Sequence, residues 1–423
     1  MLDIRRIREN QEEVTKALAK RGVIVDFNPL IELDDERKKL IFETEQMKAE
    51  RNSVSSEIPK LKKNGEDVTE TLERMKELAG SIKEMETRTT ECLDKIQSYM
   101  EVLPNIPDDD LIAGDASANE VIRTFGEKPV FDFEIKNHVD LCEKLGIIDY
   151  KRGTKLSGNG FWLYKGDGAM LEWALLNYFI EEHIKDGYEF ILPPHILGHE
   201  CGYTAGQFPK FADDVFALEN KDESEFQFLL PTAETALINV HRDEILTEDT
   251  LPRKYFAYTP CYRKEAGSYR AEERGMIRGH QFNKIEMFQY TVPEKSDEAL
   301  EELVGKAERL MQGLGLHFRT TKLAAGDVSH SMAKTYDIEV WIPSMGIYKE
   351  VSSASNARDY QARRGKIRYR NAVTGKNEFL HTLNASGLAT SRIFPAIVEQ
   401  FQQADGSIRV PEVLVKWLGK DKL

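Results

Sequence analysis

The sequence contains few of the residues that build metal centres and disulfide frameworks. Its 423 residues include four cysteines, at 92, 142, 201 and 261, and no CxxC pair. Its nine histidines form no HExxH motif and no close His/Cys cluster. This pattern favours neither a structural zinc site nor disulfide bonding, and it is typical of proteins in a reducing compartment. We therefore expect no zinc.

Long apolar runs and glycine-rich phosphate loops are missing as well. No apolar run approaches the 18 or so residues that a membrane span needs. The opening MLDIRRIREN contains no apolar core of a secretory signal. Neither GxGxxG nor GxxxxGK[ST] occurs, which excludes the two familiar nucleotide-binding loops. These absences predict a cytoplasmic protein that makes no use of a membrane.

A positive net charge is also absent. The chain has 58 Lys and Arg against 72 Asp and Glu, a formal net charge of −14. Such a protein repels nucleic acid unless its basic residues are concentrated locally. The first hundred residues are nearly neutral, with 19 basic and 22 acidic residues, so most of the acidity belongs to the remainder.

Heptad spacing dominates the first hundred residues. Apolar residues recur every seven positions from 33 to 61. A second seam of the same period runs from 68 to 103 with Thr89 at one position, and Leu72 and Leu93 are among the residues that fill alternate positions. Asn64-Gly65 marks a turn between the two runs. The pattern predicts an antiparallel helical hairpin about 45–50 Å long. Pro59 should kink the first helix or end it early, but the heptads favour a helix there.

The remainder favours an α+β fold. Residues 106–130 are rich in prolines, acids and small residues and predict a linker between an N-terminal coiled-coil domain (1–105) and a second domain (131–423). Helices are expected at 168–187 and 392–403. Strands are expected before Pro193 and at 254–265, 280–292, 314–323, 336–342 and 348–353. Strands in succession joined by short loops favour an antiparallel sheet flanked by helices.

Four polar clusters could carry chemistry. Arg263 and Glu265, two apart on a predicted strand, would share a face and precede a charged loop and a strand with Phe282 and Glu286. One interpretation of the cluster is a half-buried salt bridge on a sheet. The other is a nucleotide site, in which the arginine contacts a phosphate, the glutamate contacts a base and the aromatic ring stacks on a purine. Arg392 lies at a predicted helix start, where the helix dipole disfavours a positive charge. An anion bound by Arg392 would remove this conflict. Alternatively, the segment is an ordinary small-residue turn before a helix.

The other two clusters are equally open from spacing alone. Thr232-Ala233-Glu234 reads as simple helix initiation with Thr232 as the N-cap, or as part of a site. In Glu350-Val351-Ser352-Ser353, strand alternation places Glu350 and Ser352 on one face and Ser353 on the other. This stretch is either a polar edge strand or a ligand-binding strand.

Taken together, the stretches resemble the bacterial-type seryl-tRNA synthetases, which are class II aminoacyl-tRNA synthetases. The resemblance covers essentially the full length. It rests on MLDIRRIREN, KALAKRG, LPNIP, PTAE, CYRKEAGS, RGMIRGHQFNKIE, AKTYDIEVWIP, VSSASN, DYQARR, LNASGLA and VPEVL, in the family's order. It implies a serine–tRNA ligase that forms seryl-adenylate from ATP and L-serine and transfers the seryl group to tRNA(Ser), and to tRNA(Sec) where that tRNA exists.

The resemblance also implies roles for individual residues. Arg263 and Arg392 would be the catalytic pair, on the α-phosphate and the far phosphates. Glu350 and Ser353 would hold Mg²⁺ with the nucleotide. The implied ATP-binding set is Arg263, Lys264, Glu265, Phe282, Glu350, Val351, Ser352, Ser353 and Arg392. The implied serine-binding set is Thr232, Ala233, Glu234, Arg263, Glu286, Asn384 and Ser386.

The hairpin resembles the family's tRNA-binding arm, and the family is homodimeric. Basic residues toward the arm's tip, which are Lys48, Arg51, Lys60, Lys62 and Lys63, would contact tRNA by shape and backbone. Several positions depart from the family pattern: the loop Ser268–Gly275 with its segment Tyr269–Glu273, then Ala354, Ala357, Ala385 and Ser391. None of them removes an implied ligand.

Two other classes of protein share parts of this sequence pattern. A synthetase-derived RNA-binding or regulatory protein should have lost the motif arginines, and these are intact. A ligase that loads serine-like amino acids onto a carrier protein would lack the long arm. Both a sole housekeeping enzyme and a specialised second copy fit the sequence.

Overall fold

The computed structural model describes residues 1–219, 226–265 and 275–423. They divide into two compact units. One unit comprises Leu2–Lys16 and Ile24–Leu103, and the other comprises Met1, Ala17–Val23 and Pro104–Leu423. None of the helices in these ranges is both long and apolar enough to cross a membrane.

The N-terminal helices include the predicted pair of long ones. Their bounds are Ile4–Glu9 (α1), Gln11–Ala19 (α2), Asn28–Asn64 (α3) and Thr69–Glu101 (α4). Between α3 and α4, Gly65 adopts a left-handed conformation with φ of 76°, and its N–H donates to Lys62 O. Glycine tolerates that conformation without strain, so the asparagine–glycine turn ends α3 as the sequence predicted.

The seam between α3 and α4 is narrower than the heptads indicate. Leu40, Val54 and Ile82 are buried in it, whereas Leu72 and Leu93, predicted to fill alternate positions, are about half exposed. Two helices alone can cover only one stripe of each other, so flanking apolar positions stay in water. α3 also continues through Pro59 to Asn64 without ending early.

The second unit is built on an eight-stranded sheet. Its order is β1-β10-β11-β12-β15-β9-β8-β4, and every adjacent pair is antiparallel except β4 with β8. This confirms the predicted α+β class with an antiparallel sheet. The strands are Glu120–Phe125 (β1), Ile148–Asp149 (β2), Leu163–Tyr164 (β3), Glu189–Ile191 (β4), Ile196–Gly198 (β5), Gln227–Leu229 (β6), Ile245–Thr247 (β7), Arg253–Tyr262 (β8), Gln281–Thr291 (β9), Phe318–Lys322 (β10), Lys334–Ile342 (β11), Ile347–Arg358 (β12), Arg368–Arg370 (β13), Asn377–Phe379 (β14) and His381–Ala389 (β15).

Helices pack on both faces of this sheet. They are His138–Leu145 (α5), Tyr150–Ser157 (α6), Asp167–Lys185 (α7), His199–Thr204 (α8), Glu234–Leu237 (α9), Ser296–Leu314 (α10), Tyr360–Arg364 (α11), Thr390–Gln400 (α12) and Glu412–Leu418 (α13). The main core lies between the sheet and α7, α10 and α12. Strand alternation then separates two environments, because Ile285, Ala354 and Leu383 face this core while their neighbours face the opposite side.

The segment predicted as a linker, 106–130, is not purely a connection. Glu120–Phe125 forms the edge strand β1, which pairs with β10. Asp108 N–H donates to Ala333 O at 3.0 Å, and Leu111 is buried beside Val328. Its prolines and acids predicted a loop, yet the β-branched run VIRT has the composition of a strand.

A buried glutamate joins three of these elements. Glu172 of α7 accepts hydrogen bonds from Asn283 of β9 at 2.8 Å and from Thr390 of α12 at 2.5 Å. Burial raises the pKa of Glu172 to about 7, although both hydrogen bonds act in the opposite direction. The protonated form is therefore favoured in the folded protein at slightly acid pH.

This carboxyl group should make stability depend on pH. Its folded-state pKa lies above the unfolded value, so its contribution is complete below about pH 4.5 and is lost as pH rises through 7. Over that range Glu172 should lower the free energy of unfolding by about 3 kcal/mol as pH rises, and Glu172→Gln should abolish this decrease. Urea unfolding at several pH values checks this, with the exposed Glu298→Gln as the control. An unaltered pH profile in Glu172→Gln would contradict it.

Candidate active site

A cavity of about 480 Å³ lies on the sheet face opposite the main core. Strands β9, β12 and β15 supply much of its lining. The sequence-predicted residues that line it are Thr232, Glu234, Arg263, Glu265, Phe282, Glu286, Glu350, Val351, Ser353, Asn384, Ser386 and Arg392. Residues from both implied ligand sets therefore meet in a single cavity.

Three predicted residues do not line this cavity. Ala233 is fully buried, and Lys264 is exposed to solvent. The Ser352 hydroxyl donates to Ser386 O at 2.6 Å, which holds β12 against β15. Ala233 thus packs in the interior, Lys264 lies at the surface, and Ser352 links two strands.

A buried cluster of charged groups occupies one end of the cavity. Glu234 and Glu286 are both bridged by the Asn384 amide, which lies 3.4 Å from Glu234 Oε2 and 3.1 Å from Glu286 Oε1. Lys284 Nζ lies 2.5 Å from Glu286 Oε2 and donates to Thr232 Oγ1 at 2.7 Å. The end of the cavity thus holds two carboxylates and one ammonium.

The two carboxyl groups differ in environment. Burial raises the pKa of Glu234 to about 7, and the nearby charge of Glu286 raises it further. Gln361 Nε2 donates to Glu234 Oε1 at 2.7 Å and favours the charged form. Glu286 instead has the direct ion pair with Lys284. A cationic ligand entering here would restore the charge balance of the pair.

The sequence predicted that Arg263 and Glu265 lie on a strand, but the structure places both residues beyond the strand's end. β8 ends at Tyr262, so both residues lie beyond the strand, and Glu265 has a left-handed backbone with φ of 50°. Arg263 is fixed by its own N–H donating to His280 O at 2.9 Å and by Nε donating to Pro231 O at 3.2 Å. The strand alternation used in the prediction therefore does not apply to them.

These two side chains nevertheless reach the cavity beside an aromatic ring. The Arg263 guanidinium carbon lies 5.3 Å from the centre of the Phe282 ring. Glu265 Oε2 accepts from Arg278 Nε at 2.6 Å, so the carboxylate is held in place. A flat ligand on Phe282 would thus meet a guanidinium and a carboxylate on its edges.

A β-bulge at Val351 overturns the predicted facing of the next cluster. β12 pairs Ser352 with Ile338 but Glu350 with Glu339, which leaves Val351 as an extra residue. The side-chain alternation shifts there, so Glu350 and Ser353 line the cavity together, and Ser352 does not. The sequence had placed Glu350 and Ser352 on one face.

Arg392 lies in the first turn of α12, and its side chain contacts groups outside that helix. Its Nη1 donates to Glu350 O at 2.6 Å and lies 3.7 Å from Glu350 Oε2. Its Nε donates to Ile277 O at 3.3 Å. These contacts place a second guanidinium in the cavity beside the Glu350 carboxylate.

Glu350 and Ser353 are the candidate ligands for Mg²⁺. A carboxylate and a hydroxyl on one cavity face are hard oxygen donors of the kind that Mg²⁺ prefers, so the donor set fits the ion. Asp337, opposite Ser353 on β11, has a buried Oδ1 with no hydrogen-bond partner in the described ranges. Those ranges hold no preformed group of three or more His, Cys, Asp or Glu residues for a metal.

Lys284 and Arg278 are cavity residues that the sequence argument missed. Lys284 lies at i+2 from Phe282 and i−2 from Glu286, so strand alternation alone could have placed it in the cavity. Arg278 lies in the irregular segment before β9, where no periodicity exists to indicate its direction.

Some positions that depart from the family pattern lie in the core or the cavity, and others lie outside the described residues. Ala354, Ala357 and Ala385 are fully buried, and Ser391 lines the cavity. Tyr269–Glu273 of the loop Ser268–Gly275 lie outside the described residues. No described departure removes a charged cavity residue.

The five basic residues assigned to tRNA all lie on α3. Lys60, Lys62 and Lys63 are exposed, whereas Arg51 is half-buried. Lys48 Nζ lies 3.1 Å from Glu86 and 3.5 Å from Glu45. The last turns of α3 therefore offer the more accessible positive charge.

The geometry is that of a class II aminoacyl-tRNA synthetase: an antiparallel sheet whose strands present arginines and carboxylates in one cavity. The class II synthetase core model (for glycine, histidine, proline, serine and threonine) matches residues 216–401, and the seryl-tRNA synthetase N-terminal domain model matches residues 1–107.

The chain is 66% identical to "Serine--tRNA ligase 2" of Clostridium acetobutylicum, with full coverage of both chains. The crystal structure of the Pyrococcus horikoshii seryl-tRNA synthetase complexed with ATP superposes with a TM-score of 0.93 at 36% identity, over 100% of this chain and 99% of that one. A Naegleria fowleri serine-tRNA ligase in complex with AMP gives 0.87 at 28% identity, over 100% and 98%. This chain belongs to the seryl-tRNA synthetase family, as its sequence predicted, and is an aminoacyl-tRNA ligase.

Proposed function

We propose that this chain activates L-serine with ATP and transfers the seryl group to tRNA(Ser), and to tRNA(Sec) where that tRNA exists. The observation that carries the proposal is the shared cavity, in which a buried Glu234–Glu286–Lys284 cluster lies with Arg263 and Arg392. Its acidic end suits a small ammonium ligand, and its arginines suit phosphates.

The first step needs no nucleophile from the protein. A carboxylate oxygen of serine forms a bond to the α-phosphorus of ATP, and the bond to pyrophosphate breaks. The chain's task is to bring two anions together and to stabilise charge at phosphorus. Arg263 would contact the α-phosphate, Arg392 the outgoing pyrophosphate, and Phe282 and Glu265 the adenine. When bound at Glu350 and Ser353, Mg²⁺ would neutralise phosphate charge.

Selection of serine would depend on the acidic end of the cavity. Glu286 and Glu234 would pair with the substrate ammonium, and Thr232, Asn384 and Ser386 would surround the side chain. The serine hydroxyl would complete the hydrogen bonds of these buried polar groups. Alanine has no hydroxyl and would leave the groups unpaired, so it would be rejected.

Substituting either arginine tests the adenylation roles. Arg263→Ala and Arg392→Ala should each lower serine-dependent ATP–pyrophosphate exchange by at least about a hundredfold, since a preorganised charge on the transferring phosphoryl group is lost. Arg309→Ala, an exposed ion-paired arginine outside the cavity, is the matched control. Normal exchange in either cavity variant, with circular dichroism showing a folded protein, would contradict the assignment.

The long α3–α4 hairpin is proposed to bind tRNA. We assign residues 1–105 as a tRNA-binding coiled-coil domain, joined through 106–130 to the catalytic domain, 131–423. The supports are the match of 1–107 to the family's N-terminal domain and the exposed Lys60, Lys62 and Lys63. The net negative charge of the chain favours recognition of RNA shape over a strong non-specific attraction.

Neutralising the end of α3 tests this role. The triple variant Lys60→Ala, Lys62→Ala and Lys63→Ala should raise the tRNA KM for serylation about five- to tenfold, because phosphate contacts and their released counterions are lost. Its serine-dependent pyrophosphate exchange should stay normal. The control removes equal charge at Lys416, Lys420 and Lys422. An equal tRNA KM in both triple variants would contradict the proposal.

Two further assignments complete the proposal. A homodimer is supported by apolar side chains left exposed on α7 and after β4, among them Met170, Trp173 and Leu192. Sedimentation showing one chain per particle at micromolar concentration would refute it. A cytoplasmic location agrees with four free cysteines, and recovery of the native protein from an oxidising compartment would contradict it.

A further inference from the structure

One irregular segment, 275–280 before β9, holds residues that the proposed function assigns to ATP. Arg278 Nε donates to Glu265 Oε2 at 2.6 Å. Ile277 O accepts from Arg392 Nε at 3.3 Å. A change in the path of this segment would therefore move a carboxylate and a guanidinium of the cavity together.

The same segment also fixes Arg263 through its last residue, His280. Arg263 N–H donates to His280 O at 2.9 Å, and His280 Nδ1 lies 3.0 Å from Arg263 O. His280 N–H donates in turn to Gly160 O at 3.0 Å. Hydrogen bonds thus hold the end of the segment nearest β9.

The start of the segment rests on a buried histidine. His138, the first residue of α5, is 3% exposed. A Cβ placed on Gly275 would lie only 2.5 Å from His138 Nε2, so the backbone of Gly275 packs directly against the edge of the imidazole. Gly275 also has φ of 72°, a conformation that other residues rarely adopt. A residue with a side chain would fit this contact only if the segment or the ring moved.

Glu399 of α12 orients that imidazole. Its Oε1 lies 2.7 Å from His138 Nδ1 and accepts from His138 N–H at 2.9 Å. Its Oε2 accepts from Ser344 N–H at 2.9 Å, and the Glu399 side chain is fully buried. A carboxylate only accepts hydrogen bonds, so Nδ1 carries a proton, and the ring edge with Nε2 is directed at Gly275. The carboxylate therefore sets the ring orientation on which the segment rests.

The serine-binding end of the cavity is held by other contacts. Lys284 pairs with Glu286, and Gln361 Nε2 donates to Glu234 Oε1 at 2.7 Å. These residues belong to β9, α9 and α11 rather than to the segment 275–280. A defect in that segment should therefore affect the binding of the two substrates unequally.

We propose that His138, oriented by Glu399, is a positioning residue for ATP. Its ring does not line the cavity. It supports Gly275, and the segment 275–280 transmits that support to the residues assigned to the nucleotide. This inference rests on the proposed function, and it gives His138 no contact with a substrate and no proton transfer.

Shortening the side chain without removing its hydrogen bond to Glu399 tests the proposal. In His138→Asn the amide N–H can replace Nδ1–H, but the ring edge against Gly275 is lost. Serine-dependent pyrophosphate exchange should show an ATP KM raised about tenfold and a serine KM changed less than about twofold, because misplaced binding groups lose their alignment with the ligand. Equilibrium dialysis with ATP should show the same loss of affinity.

His317→Asn is the matched control. His317 is buried to a similar degree, at 5% exposed, and it lies outside the cavity. Its N–H donates to the side chain of Gln400, the neighbour of Glu399 on α12, at 2.9 Å. Both KM values should stay normal in this variant, while its thermal stability falls as in His138→Asn.

Gly275→Ala disturbs the same contact from the segment and leaves the His138–Glu399 pair in place. It should also raise the ATP KM with little change in the serine KM, and it decides the matter if His138→Asn does not fold. An unchanged ATP KM in either variant, equal increases in the two KM values, or an equal rise of the ATP KM in His317→Asn would overturn the proposal. Absence of serine-dependent exchange in the wild-type enzyme would instead overturn the proposed function.

Discussion

Burying two carboxylates beside a single ammonium is the constraint on which the rest of the site depends. Glu286 and Lys284 face the cavity from β9, whose sheet has the main hydrophobic core on its other side, and Glu234 faces it from α9. Charges removed from water are costly unless they are paired, and here the pairing is incomplete until a cationic ligand arrives. Burial, and then the charge of Glu286, raise the pKa of Glu234. In the proposed function a substrate ammonium would supply the missing partner, and charge balance would be the basis of recognition.

The antiparallel sheet places this charge cluster and the arginines in one cavity. Helix α9 with β9 and β15 carries the acidic end, while the bulged β12 brings Glu350 beside Arg392. Arg263 reaches the cavity from just beyond β8 and is held by backbone contacts to His280 and Pro231. Because rigid strands and strand ends hold the groups, little reorganisation is needed when two anions must approach each other.

Periodic features could be predicted from the sequence, and local irregularities could not. The heptads predicted the α3–α4 hairpin, and the strand runs predicted most of the central sheet, because burial on one face imposes a fixed period. The bulge at Val351 and the end of β8 at Tyr262 depend on register between distant strands, which composition does not encode. Lys284 was within reach of the alternation argument. The direction of Arg278 was not, because it lies in irregular backbone.

In the proposed function, the buried charge cluster and its neighbours select serine for activation. ATP–pyrophosphate exchange with serine, threonine, alanine and cysteine, measured side by side at saturating ATP, tests it most directly. We expect strong exchange with serine and at least about a hundredfold lower kcat/KM with alanine, because loss of the hydroxyl leaves buried polar groups unpaired. Equal kcat/KM for serine and alanine, or exchange with none of the four, would contradict it.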